Sequence, residues 1–564
     1  MTAAEIRALS DEYWEARLEA SPLYASFVGD HRYDDRADDL SVEADQRFRA
    51  RWSDLNERTV GVDAEQLDDT DRVTRDLLAE ELSDSIRSID HRVIELASDQ
   101  MQGTHAELLM LASQLRAPEP EHARMAVARI SELARMLDQG AQRYVVGVRA
   151  GRTPAQVNVA RSLHQISAYL GSPLPSDPFV NLAGPQDWGE TERWRAQLSD
   201  AVRDVLRPAF ERYRDVFEAE LRPVARPDDR PGLCHIPGGD ELYQFLIEHH
   251  TGLPLTAAEL HEIGLEETTH RLPAEFAEIG ERALGTADLG QIFDTLRNDP
   301  DLRYADGDAI VAHAERCLAS ATAAMGDWFG ILPLAPCVLT PVPDYLAADV
   351  PAAYYMPPAP DGSRPGEYYV NVHQPSERSR FSTAAIAFHE AIPGHHLQIA
   401  IATERTDLPS FRRLTMGHNA FVEGWALYTE RLADDMGLYE TPLDRLGLVA
   451  SDGWRACRLV VDTGLHAMGW SRQQAIDFMV DHMPVDIDTI TVEVDRYIGM
   501  PAQAVSYKVG QREILRLRAE ARKRLGERFD IKGFHDVVLG AATVSLRVLC
   551  GRVEHWVHTQ ESAR

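Results

Sequence analysis

The stretch HEAIPGHHLQ, His389 to Gln398, sets a histidine beside a glutamate and adds two more histidines six and seven positions after the first. In a zinc-hydrolase helix two histidines stand four apart, so both imidazoles share a face, and the intervening glutamate serves as base. The spacing here is longer. Along an unbroken helix residues seven apart are separated by about 10.5 Å of rise, too far for His389 and His396 to share an ion, and His395 would point away. Pro393 changes this geometry, because it lacks the N–H that would bond the carbonyl of His389, and Gly394 accepts backbone angles other residues avoid. The helix is therefore expected to bulge or break between the histidines. A bulge of that kind brings Gly394 and His395 to the place of the second ligand, with His396 as the alternative.

A catalytic zinc site needs a third protein ligand and an open position. Glu423 in FVEGWALYTERL is the downstream candidate. Phe421, Val422, Trp425, Tyr428 and Leu432 form an apolar face of this segment, and Ala420, Ala426 and Leu427 add to the apolar surroundings. A carboxylate there is costly unless compensated. A zinc ion would compensate it; so would an internal arginine, and histidine pairs are also common on protein surfaces.

The elements that must carry these residues are mostly helices. Helical periodicity runs through DRVTRDLLAEELSDSIRSI, ARMAVARISELARMLDQGAQRYVVGV and RWRAQLSDAVRDVLRPAFERYRDVFEAEL, and resumes after residue 376. Between 331 and 373 the short runs CVLTPV, AAYYM and EYYVNVH, rich in β-branched and aromatic residues, predict a small antiparallel sheet just before the histidine segment. The expected fold class is mainly α with that one sheet. Pro/Gly-rich stretches near 171–189 and 222–239 suggest a helical N-terminal region, 1–230, and a catalytic region, 231–564; a single domain spanning 1–564 has the same composition.

The bulk properties narrow the partners. The chain has 564 residues and a formal charge of -32, from 90 acidic against 58 basic side chains. That balance repels nucleic-acid phosphates and anionic headgroups. Neither nucleic acid nor membrane is expected as a partner, and oligomeric state is not readable. Five scattered cysteines without a CxxC pair, and an opening without a basic start and apolar core, predict a cytoplasmic protein.

The segments HEAIPGHHLQ, FVEGWALYTE, RLVVDTGLHAMGW and PAQAVSYKVGQREI, with SPLYASFVGDHRYDDRADDLS and GGDELYQFLIEHHTG further upstream, resemble the bacterial domain-of-unknown-function 885 family, grouped with gluzincin-type zinc metallopeptidases. The resemblance covers nearly the whole chain. It implies a helical peptidase with a deep channel, one zinc ion per chain, and short peptides as substrates. By that likeness His389, His395 and Glu423 are the metal ligands and Glu390 the general base; His395 is preferred to His396 because it follows Gly394.

Zinc would polarise a scissile carbonyl, and Glu390 would carry the proton from water to the leaving amine. Tyr507 and His466, in segments resembling the family, are the candidate donors to the oxyanion; a packed tyrosine and a satisfied core histidine are the structural alternatives. The strand GEYYVNVH, with Tyr369 and Asn371, is the candidate edge for strand addition by a peptide, or else an ordinary core strand. Lys508, Arg455 and Arg458 could meet a substrate carboxylate or form internal ion pairs. Two other functions compete: a zinc hydrolase of a small amide or ester, and a non-catalytic helical scaffold.

Overall fold

The computed structural model describes residues 3–343, 347, 350–359, 362, 364–414 and 417–562. The chain divides into two compact units. The first comprises Met1–Tyr243 with two later returns, Leu465–Gln473 and Glu493–Pro501. Its longest helix is Pro120–Arg149, where proline at the start needs no N–H partner and Arg149 lies in the last turn, facing the negative helix end. Ile130, Leu133, Leu137 and Tyr144 recur at three- and four-residue spacing on this helix and are buried in one core with Phe210, Tyr213 and Phe217.

The second unit comprises Gln244–Gly464, Gln474–Val492 and Ala502–Arg564. Its two principal site helices, Asn419–Asp435 and Ser506–Leu525, pack at Gly424 and Gly510. A Cβ on Gly510 would lie 1.7 Å from the carbonyl oxygen of Ala420, and one on Gly424 would lie 2.4 Å from the Cα of Gly510. Only glycine permits that approach.

The chain is mainly helical with one small sheet, as its periodicity predicts. The sheet holds β1 (Cys337–Pro341), β2 (Ala353–Met356) and β3 (Gly366–Val370) in the order β1-β3-β2. It is mixed, not antiparallel throughout: β3 runs antiparallel to β2 and parallel to β1. The direction reverses at each connection, but β3 inserts between its predecessors, so it meets β1 pointing the same way. Tyr368 and Val370 face inward and share a core with Ala384 and Phe388 of the Thr383–Glu390 helix. Among the described residues no helix is long and apolar enough to cross a membrane.

Candidate metal centre

The helix carrying His389 and Glu390 ends at Glu390, and a new one begins at His395 and runs to Glu404. Between them lie a cis Ile392–Pro393 bond and Gly394. A Cβ on Gly394 would sit 1.9 Å from the carbonyl oxygen of His389 and 2.5 Å from that of Phe388. The break folds the chain back on itself so tightly that no side chain fits. Trp425 fixes it from the next helix, donating from Nε1 to the Pro393 carbonyl at 3.0 Å, while the Thr429 hydroxyl donates to the Phe388 carbonyl at 3.0 Å.

This break brings His389 and His395 together, their ring centroids 4.9 Å apart and nearly perpendicular. Glu423 Oε2 lies 3.6 Å from Nε2 of each. Ligands at about 2.0–2.1 Å from a tetrahedral ion lie roughly 3.3 Å apart, so these separations suit a shared ion better than direct hydrogen bonds. One ligand atom from each residue lies within 4.8 Å of the other two. Among the described residues no lysine or arginine pairs with Glu423, which removes the structural alternative of an internal arginine. The donor set of two imidazole nitrogens and a carboxylate oxygen fits zinc. Glu423 keeps 22% of its side chain exposed, leaving a side open to water.

Electrostatics point the same way. Burial alone would push the Glu423 carboxyl up, but the two histidines outweigh it and hold the group well below the usual carboxylate range. Burial opposes charge on His389 too, yet Glu423, Glu430 and the neighbouring Glu390 raise it to about 9. The cluster concentrates negative charge around two imidazoles, a cation-seeking arrangement.

Glu430, two turns beyond Glu423 on the same helix, was not singled out from the sequence. Its Oε1 accepts a hydrogen bond from His389 Nδ1 at 2.8 Å, so Nε2, which faces Glu423, is the nitrogen that the neutral ring would offer to an ion. The signal was available, since positions seven apart on a helix share a face. His396 is excluded as a ligand. Its Nδ1 meets the Tyr355 hydroxyl at 3.0 Å and its Nε2 the Ala335 carbonyl at 3.1 Å, and burial pushes the ring down to about 4.

The other predicted residues are placed unevenly. Tyr507 lies one turn before Gly510 on the helix packed against that of Glu423, with the guanidinium groups of Arg458 and Arg455 4.5 and 5.9 Å from its ring centroid. Arg458 thus stacks on Tyr507. Lys508 is not a substrate ligand: it is buried, ion-paired with Asp452 and, at 3.3 Å, with Glu267, and it donates to Gln511 at 2.8 Å. His466 is a satisfied core histidine of the first unit, its Nδ1 accepting from the Leu233 amide at 3.2 Å and its Nε2 donating to the Tyr497 carbonyl at 3.0 Å. Asn371 donates to the carbonyls of Ala347, Val350 and Pro351 and accepts from the His373 amide, so its amide is fully used. Tyr369 stacks on Tyr354 in β3, the central strand, which has no free edge for a peptide.

A mainly helical fold with a His-His-Glu cluster at a helix break is the class that these features define. The chain belongs to the family described as bacterial protein of unknown function (DUF885), which it matches over residues 22–553. Among solved structures it is similar to "the putative lipoprotein from Colwellia psychrerythraea", at 25% identity and a TM-score of 0.90, covering 99% of each chain. It also shares its fold with "a putative lipoprotein of unknown function from Shewanella oneidensis", at 19% identity and a TM-score of 0.77, covering 98% of this chain and 99% of that one. No curated protein matches the chain.

Proposed function

We propose that the protein is a zinc-dependent peptidase of gluzincin type, acting on short peptides through the HExxxGHH segment. The observation that carries this reading is the convergence of His389, His395 and Glu423 at a helix break that only glycine permits. A zinc ion held there would polarise a carbonyl and acidify water. Glu390, next in the chain to a ligand, is the general base; its charge acts on His389 and on buried Tyr368. It takes the proton from the attacking water and returns it to the leaving nitrogen. Tyr507, backed by Arg458, is the donor for the oxyanion.

A peptide held by strand addition would use β2, the edge strand packed against the Thr383–Glu390 helix, whose Tyr355 also bonds His396. Hydrolysis of oligopeptides and of simple esters, assayed side by side on zinc-loaded protein, tests the reaction class: cleavage of esters alone would favour the small-substrate hydrolase. On compartment, five free thiols favour a reducing cytoplasm. The two solved neighbours are each described as a "putative lipoprotein", a description that suits export, and cell fractionation separates the possibilities.

A further inference from the structure

A second group of metal-ligating side chains lies in the first unit, in the GDHRYDDR segment, and has no part in the proposed reaction. His31 opens a single helical turn, His31–Tyr33, and Asp34 follows it. His122 lies in the first turn of the Pro120–Arg149 helix. His31 Nδ1 is 2.8 Å from Asp34 Oδ2, and the His31 and His122 rings stack at 4.6 Å. One ligand atom from each of His31, Asp34 and His122 lies within 4.8 Å of the other two.

Two further features distinguish this cluster from an ordinary ion pair. Asp34 is 2% exposed, and its Oδ1 is anchored by the Ser26 hydroxyl at 2.5 Å and by Arg129 Nη2 at 3.1 Å. A ligating carboxylate is commonly held by such outer hydrogen bonds, while Oδ2 faces the imidazoles and is hydrogen-bonded to His31 Nδ1, a contact that an ion would replace. Meanwhile His122 Nδ1 is buried and, among the described residues, has no hydrogen-bond partner. A buried imidazole nitrogen normally finds one.

We propose that His31, Asp34 and His122 form a second divalent-metal site, for a borderline ion such as zinc, cobalt or nickel. Two imidazole nitrogens and one carboxylate oxygen bind the ion, and water completes the shell. Because a metal lies in the plane of each imidazole that binds it, binding by both would require one ring to turn out of the observed stack. The site is independent of the His389 cluster and does not rest on its function.

The test counts zinc equivalents bound by the full chain in competition with a chromogenic chelator, for wild type, His395→Ala, His122→Gln and the double variant, with far-UV circular dichroism confirming the fold. The expected result is two equivalents, one, one and none. In cobalt-loaded His395→Ala protein, a visible d–d band should vanish when His122→Gln or His31→Gln is added. Equal stoichiometry in His395→Ala and in the double variant, or wild-type stoichiometry in His122→Gln, would overturn the proposal. One equivalent in wild type and in His395→Ala, with none in His122→Gln, would uphold this site and reject the His389 centre.

Discussion

His389 Nδ1 lies 2.8 Å from Glu430 Oε1, both side chains buried, so a carboxylate from one helix sets the tautomer of an imidazole on another. Carboxylates behind metal-binding histidines orient the ring and raise its basicity. Glu430→Gln keeps the shape and removes the charge. It should weaken zinc affinity by about 10–100-fold. Chelator competition on the purified variant measures the change; unaltered affinity would make Glu430 a packing residue only.

The adjacent histidines should separate cleanly. His395→Ala should remove the zinc bound at Glu423, whereas His396→Ala should retain it. Losing His396 leaves the Tyr355 hydroxyl and the Ala335 carbonyl without their partner, a cost of roughly 1–3 kcal/mol. Metal content and urea midpoints of the two variants distinguish the roles.

Glycines divide by what surrounds them. Gly394→Ala would drive a Cβ into the His389 carbonyl and should destabilise by about 3 kcal/mol, with the metal site lost alongside. Gly551, inside the Leu546–Ser562 helix, has no neighbour within 4 Å of an added Cβ. Gly551→Ala should therefore stabilise by about 0.5–1 kcal/mol. Urea denaturation reads both signs.

His466 is one source of pH dependence away from the His-His-Glu cluster. Burial pushes it down to about 4, despite its bond to the Tyr497 carbonyl. Above the unfolded value, near 6.5, the ring is neutral in both states and carries no penalty. As pH falls below 6.5 the unfolded chain takes up a proton that the folded one refuses. Stability is then lost until about pH 4, by roughly 3 kcal/mol from this residue. His466→Gln should flatten that part of the profile, as followed by urea midpoints between pH 7.5 and 4.5.

The His-His-Glu cluster was legible because its cause is local: Pro393 and Gly394 must interrupt the helix, and Glu423 sits in an apolar segment that needs compensation. Where partners are remote, sequence was silent. Lys508 finds Asp452 and Glu267, and His466 finds Leu233, through tertiary packing that no spacing encodes. The composition of the Tyr369 strand, short and rich in aromatic and β-branched residues, suits an edge and a core strand alike. Insertion between β1 and β2 is a choice of topology that leaves the same pattern.

The central claim is tested most directly by metal analysis of zinc-loaded wild type, His395→Ala and Glu390→Gln, each assayed on a mixed peptide library. The account predicts that wild type cleaves peptides, that Glu390→Gln keeps the full zinc complement without cleaving, and that His395→Ala loses one zinc and all turnover. Equal zinc in wild type and His395→Ala, or undiminished cleavage by Glu390→Gln, would contradict it.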